Sequence, residues 1–182
     1  VSGRAIVETD RLIVRAPEPG DVEALAALWC DPAVTAYLGG PRQFDAVCRT
    51  LRDDLALPEQ PAFDLWPTIE KASGRMVGHC GLLDKEIAGR SEIELVYVIA
   101  PAAWGRGLAT EAGRAIRDHA VTALGRQRLI ALIHPENAAS ERVAAKLGFR
   151  CEGDVQRPHG AMRLYAFATD RENTILQNNP MH

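Results

Sequence analysis

The segment Trp104-Gly105-Arg106-Gly107-Leu108-Ala109-Thr110-Glu111-Ala112 has the residue types and spacing to hold an anion. Its two glycines let the backbone turn tightly and approach a ligand closely. The helix predicted after them opens with N–H groups that lack intrahelical acceptors, and the helix dipole puts positive charge at the same end. Such a turn suits a pyrophosphate, and Arg106 adds a formal positive charge beside it. Glycine pairs also occur in strand-to-helix turns for steric reasons alone. The pattern is not the Walker loop, which needs a lysine and a hydroxyl residue after the last glycine. It also lacks the three-glycine dinucleotide fingerprint.

The elements around this turn follow from periodicity. Arg11–Arg15 reads as a short strand. Asp21 reads as a helix N-cap whose carboxylate accepts from backbone N–H groups, with Val22, Leu25, Leu28 and Trp29 following at helical spacing. A second helix is predicted from Arg42 to Leu55. Three strands follow, around Phe63–Ile69, Met76–Leu83 and Glu92–Ile99, with a loop from Lys85 to Arg90, as in an antiparallel meander. From Trp104 the period is helical, and Gly125 closes that helix. Leu129–Ile133 is a continuous apolar run, expected of a strand covered on both faces. Strand, helix, strand in that order implies a parallel crossover. A helix from about Ala138 to Leu147 ends at Gly148. Two late strands, Phe149–Val155 and Met162–Ala168, form a closing hairpin.

The 182 residues suffice for one buried core. We read them as one domain over 1–182, with its core at about 7–170 and a polar tail at 171–182. The balance of 47% hydrophobic and 25% charged residues is that of a globular protein, and a net charge of −3 gives no general attraction to nucleic acid or an anionic membrane. No apolar run approaches the length of a membrane span. Cys30, Cys48, Cys80 and Cys151 are far apart, which points to free thiols in a reducing cytoplasm rather than a metal or redox site. No set of histidines has metal-ligand spacing, so no metal is expected. His79 either faces a substrate or is a satisfied structural residue, and the second reading is the better one. His119 is expected to pack, His134 to end the core strand, and His159 to sit in a late loop. Trp29 and Trp66 are expected in the core.

Glu94-Leu95-Val96-Tyr97-Val98-Ile99-Ala100-Pro101 followed by Trp104–Ala112 resembles the acetyl-CoA motif of the GCN5-related N-acetyltransferase superfamily. Pro135-Glu136-Asn137-Ala138-Ala139-Ser140, then Val143, then Lys146-Leu147-Gly148-Phe149 is similar to its second block. Glu8-Thr9-Asp10-Arg11-Leu12 through Arg15 is similar to the first strand of the ribosomal-protein acetyltransferases RimJ and RimL. The resemblance spans nearly the whole chain. It implies an α/β (α+β) fold: a mixed, mostly antiparallel twisted sheet of about six to seven strands with a splayed parallel pair, flanked by about four helices.

The resemblance also implies roles. Acetyl-CoA, the expected cosubstrate, would lie where two parallel strands splay apart. Its pantetheine would pair with the strand edge at Tyr97, Val98 and Ile99. Trp104 and Leu108 belong to the same site, and the amides of Gly105, Arg106, Gly107, Ala109 and Thr110 would meet the pyrophosphate. Asn137 would hold the pantetheine from the second strand's end, while also serving as an ordinary N-cap. Glu94 is the first choice for a catalytic base, against an equal reading as a cross-strand ion-pair partner. Ser140 is a cofactor contact and a candidate acid for the thiolate. The tyrosine that many relatives carry further along that helix is absent, since Val143, Ala144 and Ala145 stand there.

The function implied is acetyl transfer to a primary amine by direct attack in a ternary complex, first of all a protein N-terminal α-amine. A small amine such as a polyamine, amino acid or aminoglycoside is the alternative, and a non-catalytic acyl-CoA sensor is a third. Relatives often dimerise, which leaves a homodimer open. Neither nucleic acid nor membrane is an expected partner.

Overall fold

The change of period at Trp104 marks a real change of architecture. In the computed structural model, which describes residues 3–58, 61, 63–158 and 160–169, an antiparallel meander precedes that point and a parallel crossover follows it. His159 and the tail 171–182 lie outside the described residues.

The strands are β1 (Ala5–Glu8), β2 (Leu12–Arg15), β3 (Leu65–Glu70), β4 (Met76–Ile87), β5 (Arg90–Ile99), β6 (Arg128–Ile133), β7 (Arg150–Arg157) and β8 (Gly160–Ala168). The helices are α1 (Val22–Cys30), α2 (Pro32–Thr35), α3 (Phe44–Leu55), α4 (Leu108–Thr122) and α5 (Ala138–Lys146). One eight-stranded sheet runs in the order β1-β2-β3-β4-β5-β6-β8-β7, antiparallel throughout except for β5 beside β6. Helix α4 makes the crossover that a parallel pair requires.

Each face of the sheet carries helices. Leu108, Ala112, Ile116 and Ala120 form the buried stripe of α4 and share a core with Leu95, Leu129 and Ile133. On the other face, Val98 packs with Leu28 and Trp29 of α1. Alternate residues of β5 therefore serve opposite layers. Strand β6 has Leu129, Ile130 and Ala131 all buried, as its unbroken apolar run requires.

The expected architecture stands, with four differences of detail. Ala5–Glu8 adds an edge strand, paired in register Glu8↔Ile13. Helix α2 is additional; Asp31 caps it by accepting from the Ala33 N–H at 2.8 Å, with Pro32 in its first turn. The expected loop Lys85–Arg90 shrinks to Ala88 and Gly89, both at positive φ (50° and 75°), in a tight hairpin. Ile87 is buried against Ile130 and Ala166, which draws the strand out to that point. Asp21 precedes α1 but does not cap it through its side chain. Its carboxylate instead pairs with the buried Arg15 guanidinium through two bonds of 2.7 and 2.8 Å, and accepts from the Glu18 N–H. A charge-assisted bidentate pair outcompetes a single backbone donor.

The ends of α5 follow the sequence reading closely. Gly148, at φ 82°, lets the Phe149 N–H reach the Ala144 carbonyl at 3.0 Å and its own N–H reach Ala145, a Schellman closure. Phe149 is thereby buried in the main core.

Candidate active site

Strands β5 and β6 touch at a single register pair, Glu94↔Ile130, and separate beyond it. The gap is the mouth of a cleft of about 500 Å³. Glu94, Tyr97, Val98, Ile99, Trp104, Gly105, Gly107, Leu108, Ala109, Thr110, Asn137 and Ser140 all line it. Arg106 is the one residue of the sequence-derived set that does not.

The glycine turn has the geometry an anion needs. Gly105 and Gly107 sit at φ 71° and 78°, and Gly107 is the N-cap of α4 without any side-chain cap bond. Among the described residues, none accepts a hydrogen bond from the N–H groups of Gly105 through Thr110; the first such bond runs from Glu111 N–H to the Gly107 carbonyl. Orphan donors of this kind at a helix start fit a diphosphate. Arg106 corrects the sequence reading in part: its guanidinium pairs with Glu70, so the formal charge expected beside the anion is already partnered. Cationic charge reaches the cleft from Arg142 and Lys146 instead, one turn apart on α5. Their i, i+4 spacing was visible in the sequence without a motif to single them out.

Trp104 is about half exposed, and its indole N–H donates to the Ile99 carbonyl at 2.7 Å. Asn137 caps α5 by accepting from the Ser140 N–H at 3.1 Å. The Tyr97 hydroxyl donates to the Ser140 carbonyl at 3.0 Å, tying β5 to the first turn of α5 across the cleft. Burial pushes the Tyr97 phenol well above its ordinary range.

Glu94 stands at the closed end of the gap with its side chain only 13% exposed. Burial pushes its carboxyl up from the usual range, while Lys85, 3.7 Å away, and the Leu132 amide pull it down. Glu94 therefore has a cross-strand cation and also lines the cleft. Lys85 was missed in the sequence because it was expected in a loop.

The far wall comes from α2 and the turn after it. Val34, Tyr37 and Leu38 line the cleft, and the Tyr37 ring lies against His134 at 5.1 Å between centroids. This wall is invisible to motif reading, since it depends on a four-residue helix. His79 is a structural histidine, 6% exposed, whose Nδ1 accepts from the Trp29 indole N–H at 3.0 Å. Burial lowers its pKa to about 4 and keeps it neutral. Trp66 is buried as expected, and His119 is half-buried on α4. Among the described residues no group of His, Cys, Asp or Glu could hold a metal ion, and no helix is long and apolar enough to cross a membrane.

Comparison with known proteins bears on the family and the fold. A protein from Bacillus licheniformis named as the uncharacterized N-acetyltransferase p20 is 33% identical over 164 residues, covering 85% of this chain and 89% of its own. The crystal structure of a GNAT-family acetyltransferase from Bacillus anthracis matches with a TM-score of 0.77 at 25% identity, over 89% of this chain and 97% of the other. At 17% and 18% identity the fold is also that of a RimL ribosomal L7/L12 acetyltransferase and of a Vibrio cholerae spermidine N-acetyltransferase solved with CoA and spermine. The acetyltransferase (GNAT) domain model matches residues 11–150. The chain therefore belongs to the GNAT family of acetyltransferases.

Proposed function

We propose that the enzyme transfers the acetyl group of acetyl-CoA to a primary amine in a ternary complex, with a protein N-terminal α-amine as the acceptor. The observation that carries the reading is the pairing of two features along one cleft. Unsatisfied helix-start amides lie at its open end, and a buried carboxylate with a raised pKa lies at its closed end.

Acetyl-CoA brings a thioester that is already activated, so the protein's task is position and dipoles. The amides of Gly105 through Thr110 would hold the diphosphate, with Arg142 and Lys146 adding positive charge nearby. The edge of β5 at Tyr97, Val98 and Ile99, together with Asn137, would hold the pantetheine. The Ile99 carbonyl already accepts from Trp104 and the Ala100 N–H donates to Val77, so neither is open to the ligand. The acceptor must attack as a neutral amine, and Glu94 would take its proton, directly or through water. A backbone N–H near Val98 would face the oxygen on which negative charge develops. Ser140 would protonate the departing thiolate. Tyr97 is poorly suited to that step, because its proton is engaged by the Ser140 carbonyl and its phenol is pushed up by burial.

For the acceptor, the charge of the cleft is informative. Glu94 is the single carboxylate among the described residues that line it, beside the cations Arg142 and Lys146. A polyamine carries several ammonium groups and calls for several carboxylates. A peptide N-terminus brings one titrating amine and an uncharged backbone, and suits an apolar wall of Val34, Tyr37 and Leu38 better. The similarity of the opening Thr9-Asp10-Arg11-Leu12 to RimJ and RimL supports the same choice. The four cysteines are unpaired thiols, in keeping with a reducing, cytoplasmic setting.

The test is an acceptor panel with free-thiol detection: peptides with free and blocked N-termini, spermidine, and single amino acids. Turnover with free N-terminal peptides and none with blocked ones supports the proposal. Turnover with spermidine and none with peptides overturns the acceptor assignment.

A further inference from the structure

The opening Thr9-Asp10-Arg11 resembles the family's first strand, and the Thr9 hydroxyl oxygen accepts from the Leu12 N–H at 2.9 Å where β2 begins. The Thr9 and Arg11 side chains also reach 102 and 100 residues along the chain to Glu111, in the first turn of α4. The Thr9 hydroxyl donates to Glu111 Oε1 at 2.5 Å. The Arg11 N–H donates to the same oxygen at 3.1 Å, and Arg11 Nε to Oε2 at 2.6 Å. The remaining arm of the guanidinium, Nη1, donates to the Arg106 carbonyl at 3.0 Å. Nη2 lies 3.8 Å from where a Cβ on Gly107 would stand.

The consequence follows from the peptide plane. In a trans peptide the C=O and the following N–H point in opposite directions. Holding the Arg106 carbonyl toward Arg11 therefore turns the Gly107 N–H away from Arg11. Gly107 is a residue of the cleft wall, and its N–H has no acceptor among the described residues. Glycine at 107 has no Cβ to restrict its φ, so the residue itself does little to hold that peptide in one orientation. Arg106 is gripped from its other side too, since its side chain pairs with Glu70, which accepts in turn from the Ser73 hydroxyl. Burial pushes the Glu111 carboxyl up, but the bonds from Thr9 and Arg11 outweigh it and hold it below the usual range.

We propose that Arg11 is a positioning residue for the diphosphate site: anchored on Glu111, it fixes the Arg106–Gly107 peptide so that the amide faces the cosubstrate. Its own charge is neutralised by Glu111, so it acts through the backbone and not by touching the phosphates. The proposal rests on the reading that coenzyme A binds with its diphosphate at this turn.

The experiment compares wild type, Arg11→Ala and Arg11→Lys. It measures coenzyme A affinity by calorimetry and KM for acetyl-CoA against S-acetylpantetheine, a donor without the diphosphate. Loss of one charge-assisted bond raises the coenzyme A Kd and the acetyl-CoA KM about tenfold in Arg11→Ala. The KM for S-acetylpantetheine stays within about twofold of wild type, because that donor never meets the amide. Lysine keeps the charge but cannot bridge Glu111 and the Arg106 carbonyl together, so Arg11→Lys keeps most of the coenzyme A defect. It also carries the test if the alanine variant fails to fold. Equal losses on both donors, full rescue by lysine, or no loss at all would each overturn the positioning role. If wild type itself does not bind coenzyme A, the functional reading beneath it is what fails.

Discussion

Replacing Glu94 with glutamine separates its two roles, because catalysis and stability should move in opposite directions. A positioned general base contributes about 10²–10⁴-fold to rate. Glu94→Gln should therefore lower kcat by at least about a hundredfold, equivalent to about 2.7 kcal/mol in the barrier. Coenzyme A affinity should stay near wild type, since the diphosphate amides are elsewhere. The folded-state pKa of Glu94 is raised, chiefly by burial. The folded protein thus binds this proton more tightly than the unfolded chain does. The stability so contributed is present below the ordinary carboxylate pKa and is lost as pH rises through the folded value. At neutral pH a charged carboxylate is then held in a poorly solvated place, and the neutral amide relieves that cost. Lys85, which loses its partner, is 30% exposed and can be solvated. We expect the variant to melt higher than wild type at pH 7 and to lose the acid limb of the kcat/KM profile, a limb that lies above the usual carboxylate range. Lys85→Met should move that limb further up, because it removes a cation that favours the ionised form. Thiol-release kinetics across pH, with melting curves on the same samples, read all of this. A variant that keeps kcat within a few-fold and melts lower at pH 7 would make Glu94 an ion-pair partner and nothing more.

Three further outcomes test the fold that supports the site. His79 is held neutral with a pKa lowered to about 4 from 6.5, so stability should fall as pH drops from about 6.5 toward 4, by on the order of 3 kcal/mol; His79→Gln, which keeps an acceptor for Trp29, should flatten that dependence in urea titrations at several pH values. Asp21→Ala leaves the Arg15 guanidinium buried without its bidentate partner, with Glu18 at 3.7 Å as partial compensation, and should cost about 3 kcal/mol by chemical denaturation. Gly81→Ala would set a Cβ 2.0 Å from the Asp64 carbonyl oxygen, which forces β3 and β4 apart, and should cost on the order of 3 kcal/mol or prevent folding.

What the sequence determined by itself is whatever depends on near neighbours along the chain. The period of 3.6 in Leu108, Ala112 and Ile116 defines the buried stripe of α4. The unbroken run Leu129–Ile133 announces a strand with two covered faces, and Gly148 with Phe149 announces the closure of α5. Asn137 as a cap and the glycine turn before Leu108 follow from backbone rules of the same short range. Tertiary structure alone decided which distant groups meet. It placed Lys85 beside Glu94 by extending a hairpin that Ile87 stabilises through a remote cluster. It turned Arg106 away to Glu70, and drew Asp21 from a helix start to Arg15. It joined Arg11 to Glu111 across 100 residues and brought Tyr37 to His134. Such pairings depend on strand order and on competition between partners for one charged group, and neither is encoded in the spacing of residues along a single element.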